Sequence, residues 1–357
     1  MALHFHKLAI KDIQKNTSDA VVITFDVPEK HKGDFIFKQG QNVTIRHFAG
    51  DEEFRRSYSI CSSPLENELT IAVKKVESGM FSTFANEKLR KGDLLEVMSP
   101  TGTFFTEVNI ANRKDYVFIS AGSGITPVIS IIKTILLTEQ NSCVTLVYGN
   151  KNLQSIIFRE AIDALKDKYL KRFRVFHILS RERTDTDFNY GRIDVSKCNQ
   201  LSKLINFKII DDFFICGPEE MIFSVKDFLE GWGIEPKHIH FELFNTPVRI
   251  NKRTFIPTIE APETGSEITV KIDGRSFDFS LDYNGEVILD AALAQGADLP
   301  FACKGGVCCT CKAKLIEGEV EMEANYGLEK SEVKEGYILT CQSHPRSKKV
   351  VVDYDQK

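Results

Sequence analysis

Four cysteines fall within nine positions of the stretch "CKGGVCCTCKAK", which runs from Cys303 to Lys314. Thiolates gathered this closely hold metal, and the intervals between them separate one metal chemistry from another. Cys303-x4-Cys308-x2-Cys311, with Cys341 thirty residues further on, matches the plant-type [2Fe–2S] spacing. Structural zinc usually takes two short Cys-x2-4-Cys pairs, whereas here three candidate ligands share one loop and the fourth comes alone. Lys304-Gly305-Gly306 suits a cluster, because glycine reaches positive φ and lets backbone N–H groups approach sulfur. Exchanging Cys308 for Cys309 would give intervals of five and one, which fit no plant-type pattern. Cys309 is therefore the spare thiol. A Rieske centre needs two histidines, and His344 alone does not supply them.

A second group of residues suits a flavin. In "RRSYSICSSP" an Arg can clamp a pyrophosphate, a Tyr can lie against an isoalloxazine ring, and a Ser hydroxyl can meet its N5 edge. Arg56, Tyr58 and Ser59 have those side chains, and strand alternation puts Arg56 and Tyr58 on one face and Ser59 on the other. "GMFSTF" offers Gly79, Ser82 and Thr83 at a helix start, where N–H groups and hydroxyls suit a phosphate. Further on, "SAGSGITPVIS" follows an apolar strand and opens a helix with Gly122, Gly124, Thr126 and Pro127, short of a full Gly-x-Gly-x-x-Gly fingerprint. Ser180 and Arg181 in "LSRERTD" suit an adenosine 2′-phosphate, although Glu182 and the acids of "TDTD" favour a free ribose. "ICGPEEM" sets Cys216, Gly217 and Pro218 at a strand end, and "FELF" holds Glu242 and Phe244.

These residues need three frameworks to position them, and 357 residues suffice for two or three domains. The first hundred residues read as six short strands between turn signals: "LAIKDIQ", "AVVITFDV", "QNVTIRHF", "RRSYSICS", "ELTIAVKKV" and "DLLEVMSP", the texture of an antiparallel β-barrel. From Tyr116 apolar strands alternate with helical stretches, as in an α/β domain with a parallel sheet. A proline-bearing stretch, "NTPVRINKRTFIPTIEAPETGSE", reads as a linker. After it come a hairpin, "ITVKIDGRSFDFSL", and a helix in "GEVILDAALAQG" that Gly296 ends. The predicted division is a flavin barrel over 1–108, a nicotinamide domain over 109–245, a linker over 246–266 and a cluster domain over 267–357.

The formal charge of −4 excludes a strongly basic nucleic-acid binder. Residues 267–357 carry 16 acids and 11 bases, which leaves the first 266 residues at +1. Nine cysteines without a signal-peptide pattern predict a reducing compartment, the cytoplasm, and no apolar run is long enough to predict a membrane span.

The last ninety residues resemble a plant-type ferredoxin domain of α+β, β-grasp architecture. The chain from end to end resembles the reductase components of bacterial oxygenases. Arg56-x-Tyr58-Ser59 occupies the family's Arg-x-Tyr-Ser, and Gly102 and Phe104 its Pro-x-Gly-x-Phe; the family's Pro-Gly-Gln stands here as Gln39-Gly40-Gln41. The resemblance implies FAD, with FMN as the other flavin because reductases with the ferredoxin domain last also use it, a [2Fe–2S] cluster on Cys303, Cys308, Cys311 and Cys341, and NADPH, with NADH as the other coenzyme. It implies that the Gly122 turn holds the dinucleotide phosphates and that Cys216-Gly217-Pro218 comes close to the nicotinamide. Ser59, Cys216, Glu242 and Phe244 are then expected at the reacting centre, Phe244 covering the flavin face. The expected partner is an oxygenase that takes single electrons, the alternative being a general reductase for another oxygenase, diiron or cytochrome partner. Seven acids against two lysines in "EGEVEMEANYGLEKSEVKEG" offer a surface for steering a basic partner.

Overall fold

The computed structural model describes residues 4–50, 52–244 and 265–356. All six N-terminal strands form: β1 (Phe5–Thr17), β2 (Ala20–Asp26), β3 (Asn42–Ala49), β4 (Glu52–Ser59), β5 (Leu69–Lys74) and β6 (Leu94–Met98). They pair antiparallel in the order β4-β3-β6-β1-β2-β5. A bridge between Ile60 and Ile71 ties the two edges together, closing the sheet and removing its open edges. Helix α1 (Met80–Glu87) drives Phe81 and Ala85 into the barrel core beside Val43, Ile71 and Val97.

The middle of the chain folds into five parallel strands: β7 (Asp115–Ala121), β8 (Cys143–Asn150), β9 (Phe173–Leu179), β10 (Asp212–Cys216) and β11 (Ile239–Glu242). Their order, β11-β10-β7-β8-β9, reverses direction between β7 and β10. Open α/β sheets bind ligands at that switch point, outside the carboxyl ends of the strands. Helix α2 (Ile125–Thr138) is buried over most of its length because it packs on this sheet with one side and on the barrel with the other. Ser130 donates to Ser62 O at 2.6 Å, and the Thr134 and Ser63 hydroxyls meet at 2.8 Å across the same seam. Helix α3 (Arg159–Lys168) starts only after Asn152 caps a short turn and Phe158 takes a left-handed conformation (φ 61°). Helix α4 (Val195–Leu201), capped by Asp194, is two turns long and escapes a periodicity reading; α5 (Glu219–Gly231) follows Pro218 as expected.

The C-terminal unit opens with the predicted hairpin, β12 (Ser266–Ile272) and β13 (Arg275–Leu281), turned by Asp273 (φ 51°) and Gly274 (φ 70°), left-handed at both positions as a tight hairpin requires. Helix α6 (Ile288–Ala294) ends before Gly296 at φ 83°. β14 (Lys312–Glu317), β15 (Val320–Met322), α7 (Lys330–Lys334), β16 (Tyr337–Leu339), β17 (Ser343–Pro345) and β18 (Lys349–Asp353) complete it. The main sheet runs β13-β12-β18-β14-β16, with β12 and β18 parallel and the other pairs antiparallel. Most of the predicted linker lies outside the described residues; Ser266 already belongs to β12. No helix among the described residues is long and apolar enough to cross a membrane.

Candidate electron-transfer site

The switch point gathers two of the expected motifs. The Gly122–Gly124 turn leaves the end of β7 and Cys216-Gly217-Pro218 leaves the end of β10, with Cys216 and Ser120 in register. A Cβ on Gly124 would sit 2.1 Å from Cys216 O and 2.8 Å from Gly217 N, so glycine is required there by the closeness of the two turns. Thr126 is buried and donates to Ser123 O at 3.0 Å, bracing the turn. Ser180 and Arg181 lie past β9, away from this point: the Ser180 hydroxyl donates to Asn150 O at 3.3 Å, and Arg181 is exposed with no acidic partner among the described residues. Glu182 turns aside to accept from Leu153 N–H at 2.9 Å.

On the barrel, Arg56 is exposed and donates to Arg55 O at 2.7 Å, while Tyr58 packs its ring 5.5 Å from Phe81. Burial pushes the Tyr58 phenol well above its ordinary range. Gly79 caps α1 beside a cavity of about 390 Å³ whose lining includes His47, Ser78, Thr83 and Phe84. Ser82 is engaged within the turn itself. Its hydroxyl accepts from Val76 N–H and donates to Gly79 O, both at 3.2 Å, which ties down the turn. Gln39 takes the place of the family's proline by donating to Thr106 O, and Gly40 stays at φ 88° with Phe104 O crowding the space for a Cβ.

Three units meet at one place. Ser59 at the end of β4 donates to Glu242 Oε2 at 3.3 Å, and Glu242 ends β11 in register with Cys216. Burial raises the Glu242 carboxyl to about 8; the Ser59 bond pulls it down and the nearby Cys308 thiol pushes it up. Burial, and then Glu242, hold the Cys216 thiol far above its ordinary range. Val307 and Cys303 pack with Ile215, Met221 and Leu243 of the nicotinamide domain, which brings the cysteine loop to the same point. Phe244, just beyond, is 38% exposed.

Within the loop, the Cys303 thiol lies beside those of Cys308 and Cys341, and Cys341 lies beside Cys311. No three of these sulfurs lie within 4.8 Å of one another among the described residues. A single tetrahedral ion with Zn–S of about 2.3 Å would pull all four to roughly 4 Å apart. Thiols drawn out along the loop rather than gathered round one centre fit two irons better than one zinc. Gly305 N–H donates to Cys303 Sγ at 3.3 Å, and the N–H groups of Cys303 and Gly306 face Cys308 and Cys341. Lys304 (φ 50°) and Gly306 (φ 74°) make the bends that aim these donors. The buried Thr310 hydroxyl lacks an oxygen or nitrogen partner and lies beside Cys308, a donor suited to sulfur. Cys309 (φ 54°) points elsewhere, donating to Gly327 O at 2.7 Å. The donor set therefore fits a binuclear iron–sulfur group.

Family models match in the same order as the sheets: an oxidoreductase FAD-binding domain over 7–106, an oxidoreductase NAD-binding domain over 118–227, and a 2Fe-2S iron-sulfur cluster binding domain over 270–346. The chain is 46% identical to one of the subunits of 1,2-phenylacetyl-CoA epoxidase from Escherichia coli (strain K12), across 99% of this chain and 98% of that one. It belongs to the three-domain reductase family. This reductase is also 31% identical to a 3-ketosteroid-9-alpha-monooxygenase ferredoxin reductase component of Mycobacterium tuberculosis (strain CDC 1551 / Oshkosh), over 99% and 97% of the two chains. Among solved structures, phthalate dioxygenase reductase shares the fold at a TM-score of 0.58, 24% identity and 98% coverage of each chain.

One residue of this reductase's site gave no signal in the sequence. Arg55, beside the motif arginine, is 5% exposed and reaches from the barrel to the cluster domain. Its Nη1 donates to Leu299 O at 3.0 Å, its Nη2 faces Asp298 at 3.5 Å, and its guanidinium stacks 4.1 Å from the Phe301 ring. On the nicotinamide side, Tyr326 approaches Phe223, ring to ring at 6.3 Å. These contacts join residues of different units, far apart in the chain, so neither spacing nor motif announces them.

Proposed function

We propose that this reductase draws electrons from NADPH and delivers them singly to an oxygenase of the phenylacetyl-CoA epoxidase kind, in the reducing cytoplasm. The observation that carries the reading is the convergence of Ser59, Glu242 and Cys308, one from each unit, on one point. A bound flavin supplies the conversion of a two-electron hydride into the single electrons that a [2Fe–2S] cluster accepts. Cys303, Cys308, Cys311 and Cys341 would hold that cluster. Arg56, Gly79 and Thr83 hold the flavin pyrophosphate, Ser82 shapes their turn, and Tyr58 and Ser59 flank the ring. Gly122, Gly124 and Thr126 seat the coenzyme phosphates, Gly217 and Pro218 shape the nicotinamide floor, and Phe244 covers the flavin. Cys216 and Glu242 enclose the reacting edge in a low-dielectric wall, Glu242 carrying a proton at neutral pH because burial disfavours its charge. Ser180 and Arg181 receive the 2′-phosphate; the exposed, acid-free Arg181 and the diversion of Glu182 to Leu153 support NADPH over NADH. The 46% identity, against 31% to the steroid monooxygenase reductase, supports the epoxidase partner.

Reconstitution tests the reading. The purified chain, mixed with a phenylacetyl-CoA epoxidase oxygenase, is expected to couple NADPH oxidation to epoxide formation, and Arg181→Ala to raise the KM for NADPH at least tenfold while sparing NADH. Product formation no greater than without the reductase sinks the partner assignment. Equal rates with both coenzymes and no effect of Arg181→Ala sink the coenzyme assignment.

A further inference from the structure

We propose that His6, His31 and Asp34 form a binding site for a divalent ion of borderline softness, such as zinc, on the outside of the flavin barrel. His6 lies on β1, and His31 and Asp34 lie on the 3-10 segment Glu29–Phe35 that follows β2. His6 Nε2 and His31 Nδ1 each stand 3.5 Å from Asp34 Oδ2, and the three ligand atoms all fall within 4.8 Å of one another. Donor atoms bound at about 2.0–2.1 Å to a tetrahedral ion are about 3.4 Å apart. Both measured separations match that edge, and both exceed the ~2.9 Å at which an N–H···O bond settles.

The site is held in shape before any ion arrives. The His6 ring packs edge-on against Phe35 at 5.5 Å, and Phe35 is buried in the barrel core. His31 N–H donates to Pro28 O at 2.8 Å, fixing the turn that carries the second imidazole. The three side chains are 15%, 25% and 37% exposed, enough for water to complete the coordination. Two imidazoles and one carboxylate select a zinc-like ion over calcium or magnesium, which prefer all-oxygen shells. A bound ion ties the Glu29–Phe35 segment to β1 one residue from Phe5, whose ring underlies Arg46 at 4.2 Å and Arg55 at 5.1 Å. It thereby stiffens the part of the barrel that meets the cluster domain.

The competing arrangement is a plain ion pair between a protonated imidazole and Asp34, and zinc binding separates the two. The full chain with its flavin and iron is titrated with zinc chloride by calorimetry and examined at the zinc X-ray absorption edge. One zinc per chain is expected, with a nitrogen and oxygen shell at about 2.0–2.1 Å, imidazole scattering and a raised unfolding temperature. His31→Ala and Asp34→Asn should each weaken binding at least tenfold, and His4→Ala should leave it unchanged. A sulfur shell near 2.3 Å, native affinity in both His31→Ala and Asp34→Asn, loss on His4→Ala, or no binding below millimolar zinc overturns the proposal.

Discussion

Cys309 sits between two proposed ligands, yet its thiol turns to Gly327 O and its backbone is left-handed. Serine keeps both the size and the donor, so Cys309→Ser should retain the full iron content and the cluster's visible and EPR signals, with stability within about 1 kcal/mol of native. Loss of iron would reverse the ligand assignment. Glu242 makes a second prediction. Its folded value of about 8 lies above the ordinary 4.5, so its burial costs nothing while the carboxyl is protonated in both states, below about pH 4.5. The cost grows as pH rises through 4.5 and is complete above about 8. Glu242→Gln should therefore stabilise the protein at pH 8–9 and leave it unchanged near pH 4 by thermal unfolding. An ionised carboxylate beside the electron path also repels incoming electrons, so coenzyme-driven flavin bleaching in stopped flow should slow above pH 8 in the native chain and stay level in the variant.

The β7 and β10 turns touch so closely that only glycine fits at 124. Gly124→Ala forces them apart, with an expected loss of about 3 kcal/mol, the upper end for overpacking, and weakened coenzyme affinity in titrations followed by charge-transfer absorbance. The motif marks Gly124 for closeness to phosphate; the contact that demands it is protein backbone. Helix α2 shows the same divergence between pattern and cause. "TPVISIIKTILL" reads simply as apolar, and its near-complete burial comes from lying between two domains, with Ser130 and Thr134 bonding across the seam. Helix α4 escapes notice because seven residues hold too few turns for a period to show.

Docking of the cluster domain depends on Arg55, whose guanidinium bonds to Leu299 and stacks on Phe301. Arg55→Ala should cost about 2–4 kcal/mol of that docking. Flavin reduction by the coenzyme should proceed at the native rate, while electron passage to the cluster slows; native rates for both steps would show that the contact does not set the geometry. The acidic surface expected to steer a partner is largely committed within its own unit. Glu317 pairs with Lys349, Glu321 with Arg346, Glu323 with His344 and Glu332 with Lys312. Four of the seven acids thus face a basic side chain, and turnover with the oxygenase should fall only shallowly between low and moderate salt. A steep fall would place the steering charge on these residues after all.

What was legible in the chain is what chemistry forces to be local. An iron–sulfur loop needs three thiols and flexible backbone within a few residues, so Cys303, Cys308 and Cys311 stand out as a string. Strand alternation and helix period likewise act over neighbours, and the antiparallel sheet, the parallel sheet and the hairpin of the last unit followed from them, while the β-grasp architecture came from the family resemblance. Contacts between distant segments leave no such trace. The meeting of Ser59 with Glu242, the turn of Cys309 toward Gly327, and the reach of Arg55 to Leu299 each join residues that local periodicity cannot relate. The first and last of those pairings arise only when separate cores pack against one another, and the Cys309 contact only when its own unit folds, because burial and backbone direction in the folded chain decide which side chains can touch.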